Sequence, residues 1–276
     1  MYRIGWFSSG RGEGSRNLLT TMNESIDKGR IDADIAFVFC NREPGQSNET
    51  DLFLKLVESY HIPLVCFSSK KFRAKRRTGP LTDWRFEYDR QVMERLKGFQ
   101  ADICVLAGYM LIISEEMCQH YDMINLHPAA PGGPQGTWRE VIWKLIESGA
   151  FETGVMMHLV IPELDKGPPV TYCTFPIRGK PFDRHWEEIK GLPVNELMAQ
   201  QGDDNPLFSL IRSEGAKREL PLIVVTLKAF SEGTVRIEEG KVTDSSGQTV
   251  KGYSLTEVIN ATVNPYENRG LQEHPL

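Results

Sequence analysis

The chain is poor in the features that would assign it to a special class. Its cysteines number only five in 276 residues, an odd count with no C-x-x-C pair, which excludes a disulfide framework and leaves buried free thiols as the reading. No apolar run reaches the ~18 residues that a membrane helix requires; the longest, Ile103 to Ile113, passes through Gly108. Charge of one sign is not in excess either. Lys+Arg 32 against Asp+Glu 37 gives −5, so the overall footprint of a nucleic-acid binder is missing and a membrane partner is not expected. The basic run Lys70–Arg77 reads as a solvated loop rather than a phosphate or nucleic-acid patch. His61, His120, His185 and His274 show no metal-ligand spacing, and no metal is expected. The N-terminus MYRIGWFSSG enters a strand pattern at once, with no basic and apolar leader, which points to the cytoplasm.

What is present is an ordinary globular composition, 40% hydrophobic and 25% charged, on a chain long enough for a sizeable core. Over the first 150 residues or so, short β-branched and aromatic runs alternate with amphipathic segments. Strands are expected near Arg3–Ser8, Asp34–Phe39, Pro63–Phe67, Asp102–Leu106 and Met123–Leu126, and helices near Ser15–Lys28, Glu49–Tyr60, Arg85–Lys97, Ser114–His120 and Thr137–Glu147. Such alternation implies an α/β fold with a mainly parallel, Rossmann-like sheet and helices on both faces. Two further strands, Gly154–Ile161 and Pro169–Ile177, read as a hairpin-like extension of the sheet. Lys180–Glu214 reads as irregular with a short helix, followed by a helix near Ala216–Ser231 and a hairpin turning at Glu239–Gly240. The expected organisation is a catalytic domain over 1–178, an irregular insertion, helix and hairpin packed on it over 179–250, and a tail over 251–276. That tail reads as a surface extension or an arm onto a second copy in a homodimer.

Ligands of open parallel sheets bind at the carboxyl ends of the strands, which singles out four segments: Ser9–Asn17, Cys40–Arg42, Ala107–Ile113 and Asn125–Pro134. The first is glycine-rich, Ser9-Gly10-Arg11-Gly12-Glu13-Gly14-Ser15-Arg16-Asn17. It offers free amides for an anion such as phosphate, or else is a plain strand-to-helix turn capped by Ser15 or Asn17. It is no P-loop, and NAD is disfavoured because Ser15 and Cys40-Asn41-Arg42 stand where glycine and an acid are wanted. In Asn125-Leu126-His127-Pro128, strand alternation puts Asn125 and His127 on one face. An amide donor beside an imidazolium can stabilise an oxyanion in carbonyl chemistry. An acid is near in the loop Pro162-Glu163-Leu164-Asp165-Lys166-Gly167-Pro168. His158 faces the same cleft or is a satisfied core histidine.

Ala107-Gly108-Tyr109-Met110, Asn125-Leu126-His127-Pro128 and Glu163-Leu164-Asp165-Lys166-Gly167-Pro168 resemble, in order and approximate spacing, the formyltransferase family that uses 10-formyltetrahydrofolate. The resemblance covers roughly residues 1 to 178 and returns weakly at Glu219–Lys241. It implies the formyltransferase fold, 10-formyltetrahydrofolate as co-substrate, and a phosphorylated amine, that of glycinamide ribonucleotide in purine biosynthesis, as acceptor. It further implies His127 as catalytic acid and Asn125 as the group binding the formyl oxygen. Asp165 would raise the basicity of His127 and order a proton-relaying water. Gly14, Ser15 and Asn17 would hold the substrate phosphate, with Arg85 at the junction of substrate and folate. Met110, Leu111, Ile112 and Ile113, with Ile161, Pro162, Glu163 and Leu164, would line the folate pocket.

The chain departs from the family pattern in four places. Its glycine loop carries inserted residues against S-G-x-G-S-N, and Leu111 replaces the usual arginine after Met110. The Ala129–Pro134 loop is short, and Ala216-Lys217-Arg218-Glu219-Leu220-Pro221 lacks the glutamate of the E-H-x-x-Y-P motif. Beside transfer to that amine stand transfer to another amine, hydrolysis of the formyl group, and binding of folate or nucleotide without turnover. Related hydrolases carry an N-terminal regulatory domain for which there is no room before Arg3.

Overall fold

The structure is a computed structural model and describes residues 1–75 and 83–263. In chain order the elements are β1 (Tyr2–Ser8), α1 (Glu13–Asp27), β2 (Ala33–Cys40), α2 (Asn48–Ser59), β3 (Leu64–Cys66), α3 (Ser69–Lys75), α4 (Asp83–Leu96), β4 (Ile103–Leu106), α5 (Glu115–His120) and β5 (Met123–His127). They continue as α6 (Trp138–Glu147), β6 (Glu152–Leu159), β7 (Pro169–Pro176), α7 (Asp183–Glu188), α8 (Val194–Gln200), α9 (Pro206–Ser231), β8 (Val235–Glu238), β9 (Lys241–Asp244), β10 (Tyr253–Ser254) and α10 (Thr256–Val263). This is the mainly parallel sheet with helices, and the C-terminal extension, that the alternation implied. Among the described residues no helix is long and apolar enough to cross a membrane.

Two compact units are distinguished. The first comprises Met1–Leu126, His158–Pro168 and Val224–Val250. Its strands run β5-β4-β1-β2-β3, every pairing parallel. Because β1 leads to β2 and β3 on one side while β4 and β5 lie on the other, the strand order reverses between β1 and β4, where a crevice opens at the carboxyl ends. The core beneath is aromatic. Phe7 meets Phe37 edge-on at 5.8 Å and Tyr109 at 5.8 Å, with Tyr88, Leu96 and Met117 fully buried around them. Each such side chain removed from water contributes about 1.5–3 kcal/mol.

The second unit comprises His127–Met157, Pro169–Ile223 and the residues from Lys251. Its strands are ordered β10-β7-β6. β6 and β7 form the expected antiparallel hairpin, Ile177 N–H donating to Phe151 O at 2.9 Å. Helix α6 begins at a capping box in which Thr137 and Glu140 satisfy each other's amides, and it packs Trp143 against Phe208 at 5.0 Å.

Four expectations require correction. Lys70–Lys75 is helical rather than a loop: Ser68 caps the turn, its Oγ accepting from Lys71 N–H at 3.2 Å, and Phe72 packs on the core. Residues 76 and 77 of that run lie outside the described residues. Helix α1 starts at Glu13 with Gly12 as its cap, so Ser15 and Asn17 lie inside it and cap nothing. Helix α9 starts at Pro206, not Ala216, because Asn205 Oδ1 accepts from Phe208 N–H at 3.0 Å and Leu207, Phe208 and Ile211 are buried; with α7 and α8, this makes Lys180–Glu214 far more helical than expected. Finally, the tail as far as residue 263 packs on the second unit, while residues 264–276 lie outside the described residues. Tyr253 and Ser254 pair in parallel with Thr171 and Tyr172 of β7, and Asn260 accepts from the buried Arg218 at 2.8 Å while donating to Thr174 O at 3.2 Å.

The cysteines are all free thiols. Burial pushes Cys40 and Cys173 up to about 11 and Cys66 and Cys118 up to about 12, and raises Cys104 as well. Against an ordinary value near 8.5, the thiolate fraction at pH 8 falls by roughly 10²–10³-fold. Titration with a disulfide reagent at pH 8 is therefore expected to show essentially no fast phase on the native protein and five thiols after denaturation. A thiol that reacts at once in the native protein would contradict the packing described.

Candidate active site

In the first unit the crevice is built by stitching two loops together. Ser9 N–H donates to Gly108 O at 3.1 Å, and Met110 N–H donates to Ser9 Oγ at 3.0 Å. Gly108 adopts φ +70° and leaves only a narrow gap above Ser15 Oγ, so a side chain there would be both strained and crowded. Ser15 is consequently buried at the start of α1, whereas Gly14 and Asn17 face solvent. Arg85 lies on α4 beside Asp89, whose carboxylate accepts from Ser114 N–H at 2.7 Å immediately after Ile113. Burial raises the Asp89 carboxyl above its ordinary range, opposed by that hydrogen bond and by Arg85. Arg85 Nε is itself buried without a partner. Among the described residues no hydrogen bond or ion pair joins Arg85 to Gly14–Asn17.

The polar cluster sits at the end of β5. Val160 N–H donates to Met123 O at 2.8 Å, a register that sets His158 beside Asn125, with Asn125 Nδ2 3.1 Å from His158 Nε2. His158 Nδ1 lies 3.0 Å from Leu159 O. A carbonyl only accepts, so Nδ1 donates to Leu159 O, and Nε2 is the nitrogen that faces the amide. Asp165 Oδ1 is 3.8 Å from the same Nε2, with both side chains almost wholly buried. His127, two residues beyond Asn125 on β5, is 3% exposed, and its Nε2 lies 3.0 Å from Pro134 O. By the same logic Nε2 donates to that carbonyl.

Asn125, His158 and Asp165 thus meet within the first unit. His158 is the residue that sequence reasoning left undecided. Its alternation on β6 was visible, whereas its register against Asn125 was not.

The loop bearing Asp165 is held tightly. Leu159 N–H donates to Pro168 O at 2.9 Å. At Gly167 the backbone passes so close that a Cβ would overlap Leu159 O and come within 3.3 Å of His158 Nδ1. Asp165 itself adopts φ +56°, a left-handed conformation that aspartate tolerates better than most residues. The two segments expected to line a folate pocket each expose an apolar side chain, Met110 at 49% and Leu164 at 54%, while Ile113 is buried.

Residues 3–180 match the family described as Formyl transferase. Phosphoribosylglycinamide formyltransferase of Bacillus subtilis (strain 168) is 24% identical over 170 residues, spanning 61% of this chain and 76% of that protein. The enzyme of that name from Haemophilus influenzae is 28% identical over 180 residues, spanning 64% and 74%. Among solved structures, glycinamide ribonucleotide transformylase 1 from Symbiobacterium toebii superposes with a TM-score of 0.62 at 21% identity, covering 88% of this chain and 94% of that one. A formyltetrahydrofolate deformylase from Pseudomonas syringae pv. tomato superposes with a TM-score of 0.60 at 20% identity, covering 88% and 65%.

Proposed function

The chain belongs to the formyl transferase family, and from that premise we propose that it transfers the formyl group of 10-formyltetrahydrofolate to the amine of glycinamide ribonucleotide, the acceptor in the names of its relatives. The observation that carries this reading is the meeting of Asn125, His158 and Asp165 in the first unit, with His127 two residues beyond Asn125 on β5. The amine attacks the formyl carbon, giving a tetrahedral intermediate whose oxygen bears negative charge. Asn125 Nδ2 and the His127 imidazolium stabilise that oxygen in a site with little water, where such donors act most strongly. Asp165, through an ordered water, takes the proton that the amine sheds and passes it to N10 of folate, so the C–N10 bond breaks as the C–N bond to the acceptor forms. Gly14, Ser15 and Asn17 hold the acceptor phosphate, with Arg85 where acceptor and folate meet. Met110–Ile113 and Ile161–Leu164 receive the pterin.

Incubation with 10-formyltetrahydrofolate, with and without glycinamide ribonucleotide or other candidate amines, tests the proposal. Loss of formylfolate that requires glycinamide ribonucleotide is the expected result. Loss without any acceptor would make the protein a hydrolase like its deformylase neighbour, and binding without turnover would make it neither.

A further inference from the structure

The inserted residues of the glycine loop bring a cation to the rim of the crevice, and β2 supplies a second. Arg42 NH1 donates to Ser47 Oγ and Thr50 Oγ1, each at 3.3 Å. Thr50 Oγ1 in turn donates to Gly10 O at 3.1 Å, so the hydroxyl that steadies Arg42 also anchors the residue preceding Arg11. Gly10 is fixed from the other side as well, with φ +54° and the Phe53 ring where a Cβ would go. Arg42 is thus fixed through Thr50 to the loop segment that carries the exposed Arg11. Arg42 is the charge that lowers the Arg11 value, after burial.

Like charges kept together need a reason, because neighbouring acids could have neutralised them and do not. Glu43 is held by Lys71 at 2.6 Å, and Glu49 by Arg16 at 2.5 Å. Glu13 is exposed at the first turn of α1. Among the described residues no carboxylate forms an ion pair with Arg11 or Arg42. Two positive charges near the loop amides, Arg42 fixed by its hydrogen bonds and Arg11 on the exposed loop, match a phosphomonoester dianion, whose oxygens accept forked guanidinium bonds.

We propose that Arg11 and Arg42 clamp the phosphate of the acceptor, taking over a share of phosphate recognition from a loop whose inserted residues alter its amide geometry. The inference rests on the acceptor being a phosphorylated amine, as set out above. It makes these two arginines specificity determinants rather than participants in the chemistry.

Two measurements test it separately from that reading. Binding of inorganic phosphate by titration calorimetry requires no turnover. The wild-type protein is expected to bind it and Arg11→Ala/Arg42→Ala to lose at least ~10-fold in affinity, with Arg42→Lys intermediate because it keeps charge but not the fork. In the transfer assay the single alanine variants are expected to raise KM for the phosphorylated acceptor by roughly 10–100-fold while kcat and folate affinity stay within ~3-fold, and phosphate should inhibit competitively against the acceptor. Circular dichroism of Arg42→Ala, with Arg42→Lys as companion, separates loss of fold from loss of binding. Equal phosphate affinity in wild type and double variant overturns the clamp, as does phosphate that binds without competing with the acceptor. Loss of phosphate binding together with failure to formylate any phosphorylated amine would leave an anion site but refute the acceptor reading.

Discussion

Asp165→Asn is expected to lower kcat by ~10²–10⁴-fold, the usual worth of general acid–base assistance, with little change in folate Kd. The asparagine keeps the shape of the side chain and removes its charge. In the proposed mechanism this carboxylate accepts the proton of the attacking amine through water. Removing it should leave ground-state binding nearly intact and destabilise the transition state, which appears as equal losses in kcat and kcat/KM. Stopped-flow turnover with a parallel folate titration distinguishes the roles. Near-normal kcat with weakened folate binding would make Asp165 a ligand contact and would leave proton transfer to another group.

How far the site could be read in advance depended on whether its geometry is local. Asn125 and His127 share a face because strand alternation is a property of consecutive residues, and β5 runs from Met123 to His127 as that alternation requires. The parallel arrangement was equally legible from short apolar runs separated by amphipathic helices. His158 was not, because its position beside Asn125 is fixed by the Val160 to Met123 hydrogen bond, a register between strands distant in sequence. The start of α9 was hidden behind Gly215, which punctuates helices locally but is overridden when Leu207, Phe208 and Ile211 find a core, and Pro206 opens the helix at the first position, where proline is suited. The docking of Tyr253 onto β7 is likewise tertiary: two residues pairing at a sheet edge leave no periodic signal.

Gly167→Ala carries the other large expected effect, and it acts on the site through the backbone. Gly167 does not need glycine for its dihedral angles. It needs glycine because the added methyl would occupy the space of Leu159 O, a rigid backbone atom that cannot turn aside as a side chain would. The loop must therefore lift away from β6, straining or breaking the Leu159 N–H to Pro168 O hydrogen bond of 2.9 Å and carrying Asp165 with it. Overpacking of this kind costs about 1–3 kcal/mol, so the thermal midpoint should fall by several degrees while the protein stays folded. Activity should suffer more, because a misplacement near 1 Å is worth ~10²-fold in rate. The decisive comparison is the double variant: if Gly167→Ala acts by displacing Asp165, then adding it to Asp165→Asn should lower kcat little further, since the group it misplaces is already disabled. Full additivity of the two losses, or normal kcat in Gly167→Ala alone, would show that the Asp165 loop reaches its catalytic position independently of the close passage over β6.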